Sequence, residues 1–186
     1  MSDPASAPMS ALGGASFAGF ATIREIGPVG MVTLRAKGLK ALDKAIKVAA
    51  GTKVPAQRRI EIKGDRACAW MSPDEYLLVV PYPEVAKALS AIAKTLEGEH
   101  HLAVDVSDAR AVFRIEGDRA HQVLCKLSPA DIDRLEPGEI RRTRAAQVAA
   151  AFWQQDGGYT LVCFRSVAGY VMGLLGNAAQ PGSELS

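Results

Sequence analysis

Two runs, E-Y-L-L-V-V from Glu75 to Val80 and G-Y-T-L-V-C-F from Gly158 to Phe164, occupy like places in the two parts of the chain. Each is short, apolar and rich in β-branched and aromatic residues, so each reads as a strand. Each also follows a cluster of turn formers: Ser72, Pro73 and Asp74 before the first, Gln155, Asp156, Gly157 and Gly158 at the second. Both runs therefore close hairpins, whose first strands lie within Arg58 to Met71, with a break at Gly64 and Asp65, and within Ala145 to Trp153.

Outward from the hairpins the same order of elements appears twice. Before the first hairpin, Val29 to Leu34 reads as a strand, and Leu39, Leu42, Ile46 and Ala49 form the apolar face of a helix that Gly51 ends. After it, Pro83 fits the first turn of a helix with Val85, Leu89, Ile92 and Leu96 inward, closed by Gly98, and Leu102 to Val106 is a strand. Before the second hairpin, Ala111 to Ile115 is a strand. Gly117 and Asp118 open a helix carrying Ala120, Val123, Leu124 and Leu127, which Ser128-Pro129 stops. A polar connection leads on to the hairpin. Ser166 is expected to cap a last helix with Val167, Tyr170, Val171, Leu174 and Leu175 inward. R-A-K-G-L-K-A-L (Arg35 to Leu42) and R-I-E-G-D-R-A (Arg114 to Ala120) correspond in position, which suggests internal duplication. The expectation is an α+β fold of two ferredoxin-like β-α-β-β-α-β units. It forms a single domain over residues 21–180, with halves at about 21–107 and 108–180, between flexible tails at 1–20 and 181–186.

Composition narrows the function classes. With 48% hydrophobic and 23% charged residues the 186-residue chain is an ordinary globular protein, long enough for a sizeable core. Its net charge of +2 supplies no field for recruiting nucleic acid or an anionic membrane surface. Cys68, Cys125 and Cys163 are isolated, with no C-x-x-C spacing, and fit a reducing, cytoplasmic compartment. No signal peptide or bilayer-spanning run is expected.

Few residue groups point to chemistry. His100-His101 with Asp105 is the nearest approach to a metal cluster, but only His101 and Asp105 would share a strand face and no further His, Cys or Asp is suitably spaced, so a solvated loop is the expected reading, and His121 stands alone on a helix. Asp105, Ser107, Asp108 and Arg110 could in principle supply acid-base groups, yet an acidic turn between strands has the same composition. Arg141, Arg142 and Arg144 form the one dense basic run; a salt-bridged subunit contact or a solvated strand start is favoured over phosphate binding. No phosphate-binding glycine loop and no nucleophile elbow occurs. Trp70, Pro73, Asp74, Glu75 and Tyr76 gather two aromatics and two acids at one hairpin tip, equally suited to a partner surface or to closing the hairpin's own core.

Several segments in order resemble the gamma subunit of heterotetrameric sarcosine oxidase. They are R-E-I-G-P-V-G-M-V-T-L-R-A (Arg24 to Ala36), A-W-M-S-P-D-E-Y-L-L-V (Ala69 to Val79), V-D-V-S-D-A-R-A-V-F-R-I-E-G (Val104 to Gly117), R-R-T-R (Arg141 to Arg144) and R-S-V-A-G-Y-V-M-G-L-L (Arg165 to Leu175). The chain departs from the pattern at Leu127 to Asp131, where such gamma chains carry cysteine-proline-leucine-aspartate. The resemblance implies the folate-binding fold shared with the glycine-cleavage T protein. It also implies a non-catalytic subunit without cofactor or metal, held by alpha, beta and delta chains that carry FAD, covalent FMN, NAD and tetrahydrofolate. That assembly would demethylate sarcosine oxidatively to glycine, hydrogen peroxide and methylene-tetrahydrofolate or formaldehyde. Trp70, Asp74, Tyr76, Arg110 and Arg142 are the expected partner-interface residues. The alternative is a stand-alone folate-binding or aminomethyltransferase-like protein, in which Asp105 or Asp131 would be the carboxylate that holds the pterin. An RNA-binding module rests only on the arginine run.

Overall fold

The computed structural model describes residues 8–185. In chain order the elements are β1 (Ser16–Ala18), β2 (Thr22–Ile26), β3 (Gly30–Arg35), α1 (Leu42–Ala50), β4 (Ile60–Lys63), β5 (Arg66–Ser72), β6 (Glu75–Val80), α2 (Val85–Thr95), β7 (Leu102–Asp105), β8 (Arg110–Glu116), α3 (Ala120–Leu127), β9 (Ile140–Ala145), β10 (Val148–Gln155), β11 (Gly158–Phe164) and α4 (Ala168–Ala178). Local chemistry accounts for many boundaries. α1 ends because Gly51 adopts a left-handed conformation (φ 73°) in which its N–H donates to the Lys47 carbonyl oxygen. Pro83 sits in a single 3₁₀ turn, Tyr82–Glu84, that leads into α2.

The strands form two antiparallel sheets, ordered β1-β2-β8-β11-β10-β9 and β4-β5-β6-β3-β7. Leaving β1 aside, the two correspond strand for strand: β7 to β2, β3 to β8, β6 to β11, β5 to β10 and β4 to β9. The repeated order of elements is therefore matched in the topology of the sheets, with one exchange. The edge position that β7 fills after α2 is filled in the second sheet by β2, from the opposite end of the chain, with Ile23 opposite Ile115 and Arg24 opposite Arg114. A division into halves at 21–107 and 108–180 thus does not follow the sheets, because residues 22–26 belong with the second half.

Four layers result. α1 and α2 cover the outer face of the five-stranded sheet through Leu42, Ala45, Ile46, Val85, Ala88 and Ile92. α3 and α4 cover the six-stranded sheet through Val123, Leu124, Val171 and Leu175 around Phe113 and Phe152. The inner faces meet through Met31, Leu77, Ala69 and Ile60 on one side and Val112, Val162, Ala151, Trp153 and Ile140 on the other. β8 and β11 are consequently buried on both faces and read as continuous apolar runs, not as alternating strands. Along one margin an antiparallel bridge between Arg59 and Glu139 ties the β4 edge to the β9 edge.

Four sequence expectations are corrected. Residues 8–20 are not a free tail: Leu12, Phe17 and Phe20 pack on the core, and Glu25, 3% exposed, accepts hydrogen bonds from Ser10 Oγ (2.7 Å), Ala11 N (2.9 Å) and Gly14 N (2.9 Å). Residues 1–7 lie outside the described part. The closing segment is also tied down, since Lys126 Nζ donates to Ala178 O, Ser183 O and Ser183 Oγ. The polar connection before the second hairpin contains β9, a strand hidden by its arginines. α4 starts after a 3₁₀ turn over Arg165–Val167 with no side-chain cap from Ser166, and Tyr170 points outward, 51% exposed.

Candidate partner interface

The inner faces of the sheets do not cover one another completely, and one end of the layer between them is open. Arg110 and Phe164 lie opposite each other at the ends of β8 and β11. Each is two residues from a member of the inter-sheet cluster, Val112 or Val162, so both side chains leave the same face of the sheet. Arg142 on β9 is paired with Ala151, another member of that cluster, and points the same way. These side chains, with Thr33, Met71 and Glu75 from the five-stranded sheet, line a cavity of about 90 Å³.

Charge is unevenly satisfied in this mouth. Arg142 Nη1 donates to the Met71 carbonyl oxygen and to Glu75 Oε2, both at 3.2 Å. The Arg110 guanidinium stacks over the Phe164 ring, 4.2 Å from its centroid. Among the described residues it has no carboxylate within ion-pair distance. Burial draws Arg110 below its ordinary pKa, and the nearby Arg142 acts in the same direction against Glu75; a guanidinium nonetheless stays protonated. Two guanidinium groups thus stand near one carboxylate that only Arg142 bonds, which leaves an excess positive charge beside an aromatic face.

The other end of the layer holds a cavity of about 200 Å³, lined among others by Met31, Arg66, Arg114, Trp153 and Thr160. Its cations are already engaged. Arg114 donates to Thr160 Oγ1 (2.8 Å) and to the Gln155 carbonyl oxygen (2.9 Å), and Arg66 makes two 2.7 Å bonds to Glu84.

Of the five residues expected at an interface, only Arg110 and Arg142 come together. Trp70 and Tyr76 are cross-strand partners on the helix-covered face, where Tyr76 is 8% exposed and Trp70 packs on the same cluster. Both aromatics therefore close this chain's own core. Asp74 sits at the hairpin turn, bonded to Arg35 Nη2 (2.7 Å) and Ser72 Oγ (2.9 Å), and these bonds hold its carboxyl below the usual range. Glu75, expected only as part of the hairpin tip, is a member of the mouth, and Phe164 is a member that the sequence reading does not single out. Phe164 carries a signal in hindsight, as an aromatic two residues beyond the buried Val162.

The remaining candidates separate. Asp105 Oδ1 accepts from Ser107 N (2.9 Å) and Ser107 Oγ (2.6 Å), while Ser107 Oγ accepts from Met31 N (2.9 Å), which makes this a structural turn at the end of β7. Asp108 accepts a long bond from Tyr82 Oη. Asp131 is an exposed surface residue paired with Arg134. Neither Asp105 nor Asp131 lines either of the two cavities described above. His101 Nδ1 contacts the Glu99 carbonyl oxygen in a loop. Strand alternation divides the arginine run, with Arg141 bonded to Glu139 on one face and Arg142 turned to the other. Among the described residues no group of three His, Cys, Asp or Glu is arranged for a metal ion, and no helix is long and apolar enough to cross a membrane.

This geometry, two stacked antiparallel sheets with helices outside, agrees with the fold of known proteins the chain resembles. The model of the sarcosine oxidase, gamma subunit family matches residues 37–180. The chain belongs to that family. It is 31% identical over 156 residues to sarcosine oxidase subunit gamma of Arthrobacter sp., covering 81% of this chain and 75% of that one. It is 32% identical over 142 residues to the same subunit of Corynebacterium sp. (strain U-96), covering 72% and 66%. Among solved structures it superposes on a chain of the heterotetrameric sarcosine oxidase from Corynebacterium sp. U-96, in complex with pyrrole 2-carboxylate, with a TM-score of 0.78 at 25% identity over 88% of this chain and 87% of that one. The glycine cleavage system aminomethyltransferase T from Bartonella henselae shares the fold, with a TM-score of 0.61 at 10% identity over 84% of this chain and 46% of that one. The expected α+β architecture related to the T protein is thus the one found.

Proposed function

We propose that this gamma-family chain is a non-catalytic structural subunit of a heterotetrameric sarcosine oxidase. Its partners would be the alpha, beta and delta chains, and these would carry the FAD, FMN, NAD and tetrahydrofolate sites. The assembly would convert sarcosine to glycine with hydrogen peroxide and methylene-tetrahydrofolate or formaldehyde, in the cytoplasm. The observation that carries the reading is the match of sequence and fold along most of the chain to a gamma subunit that works inside a four-chain enzyme.

Side-chain geometry supports the same reading. The acid, hydroxyl and basic groups that could assemble a site are instead bonded within turns and strand ends, as in the Asp105–Ser107 turn and the Arg141–Glu139 pair. Among these groups Arg110 stays without a carboxylate partner, in the mouth that it lines with Arg142. In this role the chain supplies shape and contact area, and oxidation takes place on its neighbours.

The test is co-expression of the tagged chain with the three candidate partners, followed by affinity capture and an absorbance spectrum. Stoichiometric recovery with a flavin band near the visible blue is expected. Recovery of the tagged chain alone, colourless, would remove the proposal. Titration of the free chain with tetrahydrofolate by calorimetry separates the folate-binding alternative, which requires saturable binding.

A further inference from the structure

The mouth continues onto an exposed apolar sheet edge. β7 is the outermost strand of its sheet, and Val104 lies directly opposite Thr33, which lines the cavity, while Leu102 lies opposite Arg35. Facing partners in an antiparallel pair share a face, so Leu102 and Val104 extend the inner face past the point where the second sheet covers it. They are 54% and 41% exposed, and Phe164 across the cavity is 48% exposed. Edge strands are commonly protected by lysine, proline or a covering segment. L-A-V-D, the sequence of β7, has neither lysine nor proline.

Two features decide what covers it. The unpaired guanidinium of Arg110, next to Arg142, calls for a carboxylate, and Glu75 is already bonded to Arg142. The cavity, at about 90 Å³, has room for a side chain, whereas sites for cofactor-sized molecules are roughly 300–1,000 Å³. Resting on the subunit reading above, we infer that this mouth seats a segment of a neighbouring chain in which an Asp or Glu is flanked by aliphatic residues. The carboxylate enters beside Arg110, and the aliphatic residues cover Leu102, Val104 and Phe164. Desolvation by those apolar flanks strengthens the ion pair relative to an exposed one.

The test uses the full chain co-expressed with its partner chains. A photo-crosslinking residue at position 104 is irradiated in the assembled complex and the joined peptide is sequenced by mass spectrometry, while recovery of partners is compared for Arg110→Glu, Val104→Glu and the control Val48→Glu on α1. The expected results are a crosslinked peptide containing Asp or Glu beside aliphatic residues, a loss of at least about tenfold in partner recovery for the first two variants, and no loss for the control. Thermal midpoints of the free variants separate lost binding from lost folding, and Val104, being exposed, tolerates glutamate in the free chain. A complex that forms but gives no crosslink at 104, or a peptide without an acid, or wild-type recovery of Arg110→Glu, would overturn the inference and leave the subunit reading standing. Failure of the wild-type chain to capture any partner would remove both.

Discussion

Glu25 accepts a 2.7 Å hydrogen bond from the hydroxyl of Ser10, fifteen residues earlier, and with it closes the opening segment onto the six-stranded sheet. The same carboxylate takes the N–H groups of Ala11 and Gly14, and Arg165 holds the carbonyl oxygens of Met9 and Ser10 from the other side. Glu25→Ala would leave two backbone donors without their acceptor and is expected to destabilise the fold by about 1–3 kcal/mol. Urea denaturation measures this, and limited proteolysis should show new cleavage among residues 9–15 in the variant.

Gly30 opens β3 where the strand passes close to the end of β6 and the start of α2. A Cβ there would lie 2.6 Å from both the Val80 carbonyl oxygen and Val85 Cγ2. Gly30→Ala must therefore push β3 away from β6 or displace the start of α2, an overpacking cost of about 1–3 kcal/mol. A lower thermal midpoint is expected, whereas Gly173→Ala, on the open side of α4, should not lower it.

The three free thiols differ in environment. Burial pushes the Cys68 thiol far up and the Cys163 thiol up to about 11, while the half-buried Cys125 rises less, also through burial. Thiol titration of the native protein near pH 8 should find Cys125 reacting first, with Cys68 reacting only on unfolding. The linkage has a definite sign. In the unfolded chain these thiols ionise near 9, while the folded chain keeps them protonated, so their contribution to stability is complete below that pH and declines as pH rises above it. Cys68→Ala should flatten the loss of stability measured between about pH 9 and 11.

Carboxylates give the opposite limb. Hydrogen bonds from Arg66, Arg24 and Arg141 hold Glu84, Glu116 and Glu139 below the usual range. Their folded pKa values are depressed, so their contribution is present above about pH 4.5 and is lost as pH falls through the folded values. Acid titration of stability should steepen below pH 4.5, and Glu116→Gln should remove part of that slope.

The local features of the fold were legible because they depend on neighbours in sequence. Gly51 announces the end of α1, and Pro73-Asp74 and Asp156-Gly157 announce their hairpins. β2 could not be placed this way, since its partners at 112–116 lie some ninety residues on and leave no periodic trace in T-I-R-E-I. β9 was hidden for a different reason: on this edge strand arginines stand on both faces, Arg142 on that of Ile140 and Arg141 on that of Ala145, and still pair in register with β10. Trp70 and Tyr76 looked equally suited to a core or a surface, and only the helices packed over their face decide for the core. The meeting of Arg110 with Arg142 likewise requires four strands, β8, β11, β10 and β9, in correct order, which no single motif encodes.

The central claim is that this polypeptide contributes surface to an enzyme whose chemistry resides in its neighbours. Native mass spectrometry of the co-expressed assembly, paired with sarcosine-dependent oxygen uptake by the assembly and by the lone chain, tests it most directly. The account predicts one species containing a single copy of this chain with the flavin-bearing chains, uptake by that species, and none by the chain alone. A free monomer in the presence of those chains, or oxygen uptake by the monomer itself, would contradict it.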